Sequence, residues 1–157
     1  MNDLNLTIKD NLRHVSIRKK TASRICSTQV LYSFSFSNEN IKFFMNTYLD
    51  NYLSTILREL NLKKIDYELF YTIINGVYDN LIQIDDIISK NLSKKWSIDR
   101  LSKTEKSILR LATYELLFEK KFKKLTIINE YISIIDVFCG DANFANGILD
   151  NISKELK

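Results

Sequence analysis

Four cations near the start of the first strongly helical segment are the residues best suited to binding chemistry. Arg18, Lys19, Lys20 and Arg24 lie close together, and a helix predicted over residues 17–35 puts Lys20 and Arg24 one turn apart. The other face of that helix is apolar, so both are expected to face away from the core. Lysine and arginine can contact a polyanion such as single-stranded RNA. A solvated helix start is the simpler explanation of the same charges.

An acid on the apolar face of a later helix is the second unusual feature. Ser102-x-x-Glu105 is a capping box, and the helix that follows has one face made of Ile108, Leu111, Ala112, Glu115 and Leu116. A carboxylate that faces a core must be paired or hydrogen-bonded. Arg110 is the nearby candidate for Glu115. We predict a structural acid, because nothing around it supplies a nucleophile, a metal-ligand set or a phosphate-binding loop.

Composition then sets the fold class. The chain has 157 residues, 45% of them hydrophobic, no proline and only three glycines, whereas sheet proteins use proline and glycine in their many turns. We therefore predict an all-α protein of about seven helices. Residues 1–16 are predicted to form a polar flexible arm and residues 17–157 a single domain. No apolar run is long enough to span a membrane, so we expect a cytoplasmic protein without membrane contact.

The cysteines and the histidine do not suggest a metal or cofactor site. Cys26 and Cys139 sit in apolar helical contexts and are predicted to be free thiols in the core. His14 is the single histidine and lies in the polar arm. The sequence therefore predicts no catalytic residue, no metal site and no cofactor.

Further helices are predicted over residues 41–60, 66–88 and 126–138, and at the end of the chain. Asp66 is a plausible cap for the helix over 66–88. Gly76 lies inside it, and glycine there costs roughly 1 kcal/mol relative to alanine. We therefore expect another helix to approach closely at Gly76. Gly140 is placed where the helix over 126–138 should stop, and Asn129 and Glu130 are interpreted as the opening of that helix.

A series of short motifs runs through the chain in a fixed order. They are Ala22-Ser23-Arg24, Gln29-Val30-Leu31-Tyr32, Ile74-Asn75-Gly76-Val77, Ile84-Asp85, Trp96-Ser97-Ile98-Asp99-Arg100-Leu101, Ile108-Leu109-Arg110-Leu111-Ala112-Thr113-Tyr114-Glu115-Leu116, Ile128-Asn129-Glu130 and Phe144-Ala145-Asn146-Gly147-Ile148-Leu149-Asp150. In this order they resemble the NusB family of bacterial transcription antitermination factors. The loop between Gly140 and Phe144 is shorter than is usual in that family.

The resemblance implies an all-helical fold of two small packed subdomains. It implies binding to the boxA element of ribosomal RNA leader transcripts and pairing with NusE, a small-subunit ribosomal protein, in an antitermination complex with RNA polymerase. The candidate RNA contacts are Arg18, Lys19, Lys20, Arg24 and Tyr32, although Tyr32 is as readily explained as a core or rim residue. A homodimer is left open.

Asp99 and Glu105 are the candidate contacts to the basic protein partner, although a helix-start acid explains Glu105 equally well. Two other classes of protein were weighed. A related helical module is an accessory domain of ribosomal RNA cytosine methyltransferases, but this chain has no glycine-rich loop or strand-rich cofactor domain. The alternative function is a helical scaffold that binds protein without recognising RNA directly.

Overall fold

The computed structural model describes residues 13–35 and 39–156, and these form eight α-helices with no strand among them. The helices are α1 (Val15–Phe34), α2 (Ile41–Asn51), α3 (Leu53–Glu59), α4 (Tyr67–Asp79), α5 (Leu81–Lys90), α6 (Lys103–Phe118), α7 (Lys124–Val137) and α8 (Ala142–Glu155), with a 3₁₀ turn at Ile98–Arg100 before α6. The all-α prediction is confirmed. The helix starts at Val15, so the last two residues of the predicted arm belong to α1, and residues 1–12 of that arm lie outside the described residues.

The described residues form eight helices rather than about seven, because two of the six helices located in the sequence are each broken once. The helix expected over 41–60 breaks at Tyr52, whose φ is −120°. The helix expected over 66–88 breaks at Asn80, whose side-chain amide donates to the carbonyl of Gly76 at 2.8 Å. Asparagine competes with the helical backbone in this way. Asp66 caps α4 as predicted, since its Oδ1 accepts from the Leu69 amide at 3.0 Å.

Helices α1 and α6 lie at the centre of one hydrophobic core. Helix α1 packs on α4, α6, α7 and α2, and every residue from Thr21 to Thr28 is buried. Helix α6 packs on α5, α7 and α8 as well. The close approach predicted at Gly76 is confirmed, because a Cβ atom built there would overlap the ring of Tyr114 on α6. These contacts fix the position of α1 relative to the other helices.

The two cysteines have different surroundings. Cys26 is fully buried on α1, as predicted. The prediction for Cys139 is wrong, because this residue is exposed in the turn between α7 and α8. Helix α7 ends at Val137, and Cys139, just before the predicted stop at Gly140, takes the left-handed conformation (φ 60°). A thiol at a left-handed turn residue faces solvent instead of continuing the apolar face of the helix.

Candidate nucleic-acid and protein interfaces

The four basic residues of α1 do not form one surface. Lys19 and Lys20 are partly exposed on the first turns of the helix, whereas Arg24 is only 2% exposed. Arg18 points its guanidinium at the connection between α3 and α4, where Nη2 donates to the carbonyls of Leu60 at 2.7 Å and Asn61 at 3.3 Å. The predicted cationic face therefore divides into two lysines at the surface and two arginines that hold other parts of the fold.

Arg24 is the centre of a buried ion cluster made of Arg24, Glu115, Glu130 and Tyr131. Its Nε donates to Glu115 Oε2 at 2.8 Å, and its Nη2 donates to Glu115 Oε1 at 2.8 Å. The expectation that Arg24 faces away from the core is wrong, because α1 has neighbours on every side over residues 21–28. Arg24 therefore has no open side for a phosphate and is withdrawn from the candidate RNA contacts.

The partner predicted for Glu115 is also corrected. Glu115 is completely buried, as its place on the apolar face indicated, but its partner is Arg24 of α1. Arg110 instead makes a two-pronged pair with Asp85 of α5, at 2.8 and 2.7 Å. The Tyr131 hydroxyl completes the environment of Glu115 by donating to its Oε2.

The electrostatics of the buried ion cluster keep its cation charged. Burial alone would lower the pKa of Arg24, but the hydrogen-bonded Glu115 carboxylate, with Tyr131 and Glu130 beside it, raises that pKa above its usual value. Burial, and then the charge of Glu115, raise the pKa of the Tyr131 hydroxyl, which stays protonated. The rings of Phe122 and Tyr131 also lie 5.1 and 5.7 Å from the guanidinium carbon.

Glu130 extends the buried ion cluster to the start of α1, which the sequence did not indicate. It lies in the middle of α7, not at its opening as predicted. Its Oε1 accepts from Arg13 at 2.8 Å, and its Oε2 accepts from the Thr21 hydroxyl at 2.7 Å and lies 3.8 Å from Arg24 Nη1. Glu130 therefore ties the residues that lead into α1 to α7. Its position in the Ile128-Asn129-Glu130 motif was the only available signal.

A second pair of surface residues joins the lysines of α1. Lys64, which is exposed, and Tyr67, the first residue of α4, line a shallow cavity of about 270 Å³ together with Lys19 and Lys20. We call Lys19, Lys64 and Tyr67 the lysine–tyrosine surface. Lys20 is partly neutralised by Asp66, whose Oδ2 lies 3.3 Å from its Nζ. Within the described residues no carboxylate forms an ion pair with Lys19 or Lys64.

Tyr32 lies far from those lysines. Twelve residues of α-helix separate it from Lys20, which corresponds to about 18 Å. Tyr32 is exposed and lines a groove of about 640 Å³ between α1, α2 and α3 that also includes Thr104 of α6 and Phe138. Gln29 lies in the same groove and accepts from the Tyr48 hydroxyl of α2. We call this feature the Tyr32 groove.

The two predicted acidic contacts lie near the start of α6. Asp99 is exposed in the 3₁₀ turn. Glu105 is partly buried: its Oε1 accepts from the Ser102 hydroxyl at 3.0 Å and its Oε2 accepts from the Asp141 amide at 3.3 Å. The Ser102 part of the predicted capping box is confirmed, since its hydroxyl accepts from the Glu105 amide at 3.1 Å. Thr104 and Phe138 connect the surroundings of Glu105 to the Tyr32 groove.

Two negative findings hold for the described part of the chain. Across residues 13–35 and 39–156, no group of three or more His, Cys, Asp or Glu side chains could hold a metal ion. No helix in that same part is both long and apolar enough to cross a membrane.

Comparison with known proteins decides the family. The model of the NusB family matches residues 21–154. The chain belongs to the NusB family. The transcription antitermination protein NusB of Clostridium botulinum is 36% identical over 135 residues, which cover 85% of this chain and 96% of that protein.

Solved NusB structures share the fold. A crystal structure of the antitermination factors NusB and NusE in complex with double-stranded RNA matches with a TM-score of 0.69 and 27% identity, covering 88% of this chain and 98% of that one. A structure of Thermotoga maritima NusB matches with a TM-score of 0.63 and 36% identity, covering 86% of this chain and 90% of that one. The segment that matches the NusB model contains Arg24, Lys64 and Tyr67 but begins after Lys20.

Proposed function

We propose that this chain is a transcription antitermination factor that binds boxA-type ribosomal leader RNA together with the ribosomal protein NusE, to promote processive transcription of ribosomal RNA by RNA polymerase. The observation that carries the proposal is the placing of two different surfaces at opposite ends of α1. A basic surface lies at its start and an apolar groove lies at its end, so RNA and a protein could bind at the same time. The likeness of the fold to a NusB structure solved with NusE and double-stranded RNA supports the choice of these two partners.

The RNA-binding side of the proposal rests on Lys19 and Lys20. Both are partly exposed near the start of α1, and Lys64 adds a third ammonium group to the same cavity. Flexible lysines suit phosphate contacts that track a strand without reading its sequence. Arg18 contributes indirectly, because it holds the connection that carries Lys64.

The protein-binding side rests on Tyr32, Asp99 and Glu105. Tyr32 moves from the RNA contacts to this side, because it lines the groove that leads to the surroundings of Glu105. An aromatic ring beside an apolar groove is a common anchor in protein interfaces. The exposed carboxylate of Asp99 and the partly exposed carboxylate of Glu105, both near the start of α6, suit a basic partner such as a ribosomal protein and would steer its approach.

The finer parts of the proposal follow from the family. We propose that the factor is not an enzyme and that it acts in the cytoplasm, where transcription takes place. The division of the fold into two small subdomains belongs to the same proposal. The alternative is a scaffold that binds only protein. No particular observation favours that alternative over the antitermination function.

A gel-shift experiment separates the two functions. The full-length chain is titrated against a boxA RNA and against a scrambled RNA of the same length, each with and without NusE. We expect a complex that prefers boxA and becomes tighter when NusE is present. The Lys19→Ala, Lys20→Ala double variant should weaken RNA binding, and Lys154→Ala on α8, which does not line the cavity, is the control. Binding of NusE without any RNA binding would overturn the proposal in favour of the scaffold.

A further inference from the structure

The lysine–tyrosine surface combines two kinds of group that the fold brings together from separate segments. Lys19 lies on α1, whereas Lys64 and Tyr67 lie more than forty residues later, where the connection from α3 enters α4. Tyr67 is 39% exposed, so part of its ring is open to a ligand while the rest is packed against the protein. An exposed ring beside two ammonium groups offers one face for stacking and two charges for anions.

The surface is held rigidly, because several contacts fasten the connection to α1. Arg18 donates to the carbonyls of Leu60 and Asn61, and the Ser23 hydroxyl donates to the Asp66 carbonyl at 2.7 Å. Ile65, between Lys64 and Asp66, is buried at 2% exposure. The backbone that carries Lys64 and Tyr67 is therefore ordered before any ligand arrives. Preorganised groups lose less entropy on binding than mobile ones.

The charged side chains that line the cavity indicate which class of ligand it would bind. Asp66 is occupied twice, as the cap of α4 and as the partner of Lys20, so it offsets the charge of Lys20. Of the three lysines that line the cavity, Lys19 and Lys64 have no ion-pair partner among the described residues. A basic protein would be repelled here. A nucleotide suits the surface, because bases stack on aromatic rings and phosphates bind lysine.

We propose that the lysine–tyrosine surface is a binding site for one unpaired nucleotide of the RNA, with its base stacked on Tyr67 and its flanking phosphates on Lys19 and Lys64. The site rests on the proposed RNA-binding function and adds a base-stacking residue to it. Bases in a duplex present no free face to a side chain, so this site requires single-stranded RNA.

The test is a fluorescence-anisotropy titration of the full-length chain with a labelled single-stranded boxA RNA at fixed salt. Tyr67→Ala should weaken binding by roughly 5- to 150-fold, the range for loss of one stacked base. Tyr67→Phe should bind within about threefold of the wild type, because it keeps the ring. Tyr67→Leu keeps apolar volume without a ring, so it should weaken binding as Tyr67→Ala does, and it replaces the alanine variant in the test if that variant does not fold.

Tyr71→Ala is the matched control, since Tyr71 is on the same helix and equally exposed, at 39%, but does not line the cavity. It should bind like the wild type. Lys64→Ala should lower the magnitude of the slope of log affinity against log salt by about 0.7. Annealing the RNA into a duplex should remove the difference between Tyr67→Ala and the wild type.

The outcomes separate this site from the proposed function. Wild-type affinity for the Tyr67→Leu or Tyr67→Ala variant, in protein with unchanged helix content, would overturn the stacking site while leaving RNA binding intact. An equal loss in Tyr71→Ala would also overturn it, because the effect would not belong to the cavity. A wild-type chain that binds no RNA with or without NusE would overturn the proposed function, and the stacking site with it.

Discussion

Basic residues in two successive parts of α1 have opposite environments. On the first turns, Lys19 is partly exposed and belongs to the lysine–tyrosine surface. Five residues later, Arg24 is buried and held by both oxygens of Glu115. The difference is the number of neighbouring helices, because α4, α6 and α7 surround the middle of α1 but leave its start open. Positive charge in one run of sequence therefore serves binding at one end and stability at the other.

The residue types fit these two tasks. A planar guanidinium matches a carboxylate through two parallel hydrogen bonds and is weakly hydrated, which favours Arg24 in the interior. An ammonium on a flexible stem is strongly hydrated and suits the exposed site of Lys19. A buried pair of this kind is costly to break but is not necessarily better than an apolar pair of the same size. This comparison leads to four measurable consequences.

The largest expected effect is at Glu115. Replacing Glu115 with alanine should lower the free energy of unfolding by about 3–5 kcal/mol, because the Arg24 guanidinium would remain buried without its counter-charge. Urea denaturation followed by circular dichroism measures the loss. The double variant Arg24→Met, Glu115→Leu removes both charges and should recover most of the stability. A double variant as unstable as Glu115→Ala would show that the pair itself stabilises the fold.

The second effect compares the two thiols. Burial raises the pKa of Cys26 to about 12, against an ordinary value of 9.0, whereas Cys139 is exposed. At pH 8 a thiol reagent should therefore modify Cys139 quickly and Cys26 only after unfolding. The pKa of Cys26 is higher in the folded state than in the unfolded state. The contribution of the neutral thiol to the free energy of unfolding is therefore complete below pH 9 and declines as the pH rises towards 12.

Denaturation measured between pH 8 and pH 11 checks the direction of this change. In the unfolded chain the Cys26 thiol ionises first, so the wild type should lose stability above pH 9 at up to roughly 1.4 kcal/mol per pH unit. The Cys26→Ala variant should lose less over the same range, although Tyr48 and Tyr131 add their own decline at higher pH, since burial raises the pKa of both hydroxyls. Identical pH profiles for the variant and the wild type would contradict the prediction.

The sequence was sufficient for the parts of the fold that depend on local pattern. Apolar periodicity and the lack of proline predicted an all-helical chain, Asp66 and Ser102 predicted two helix starts, and Gly76 predicted a close contact. The motif order predicted the family. Helix breaks at Tyr52 and Asn80 were missed, because neither residue type stops a helix reliably and each break depends on packing.

Contacts between distant segments could not be predicted in the same way. Periodicity assigns an inside and an outside to a helix, and it fails for α1 because that helix is buried all round from Thr21 to Thr28. Glu115 was correctly placed in the core, but choosing Arg24 over the nearer Arg110 requires knowing that α1 crosses α6. Lys64 and Tyr67 were missed as site residues for the same reason, since no sequence pattern around them predicts that they lie beside Lys19.

The third effect concerns binding rather than stability. Lys19→Ala should lower the magnitude of the slope of log affinity for boxA RNA against log salt by about 0.7, the value for one phosphate contact to a single strand. The thermal midpoint should stay unchanged, because Lys19 lies on the outside of α1. Anisotropy titrations at several salt concentrations supply the slope. An unchanged slope, with a lower midpoint, would make Lys19 a structural residue like Arg24 and remove the contrast between the two parts of α1.

The smallest expected effect is at an exposed ion pair with nearly the same N–O distance as the buried one. Only the N–O distance is shared: Lys154 Nζ lies 2.9 Å from Asp150 Oδ2 on α8 in a single contact, and their side chains are 68% and 50% exposed. Lys154→Gln should change the free energy of unfolding by no more than about 0.5 kcal/mol, because water and salt already screen both charges. Raising the salt concentration should remove that change, whereas the loss in Glu115→Ala should persist because its charges are shielded from solvent. Urea denaturation of both variants at low and high salt supplies the comparison. If Lys154→Gln cost as much as Glu115→Ala, the N–O distance rather than burial would determine the strength of an ion pair in this fold, and the difference drawn between the two parts of α1 would have no physical basis.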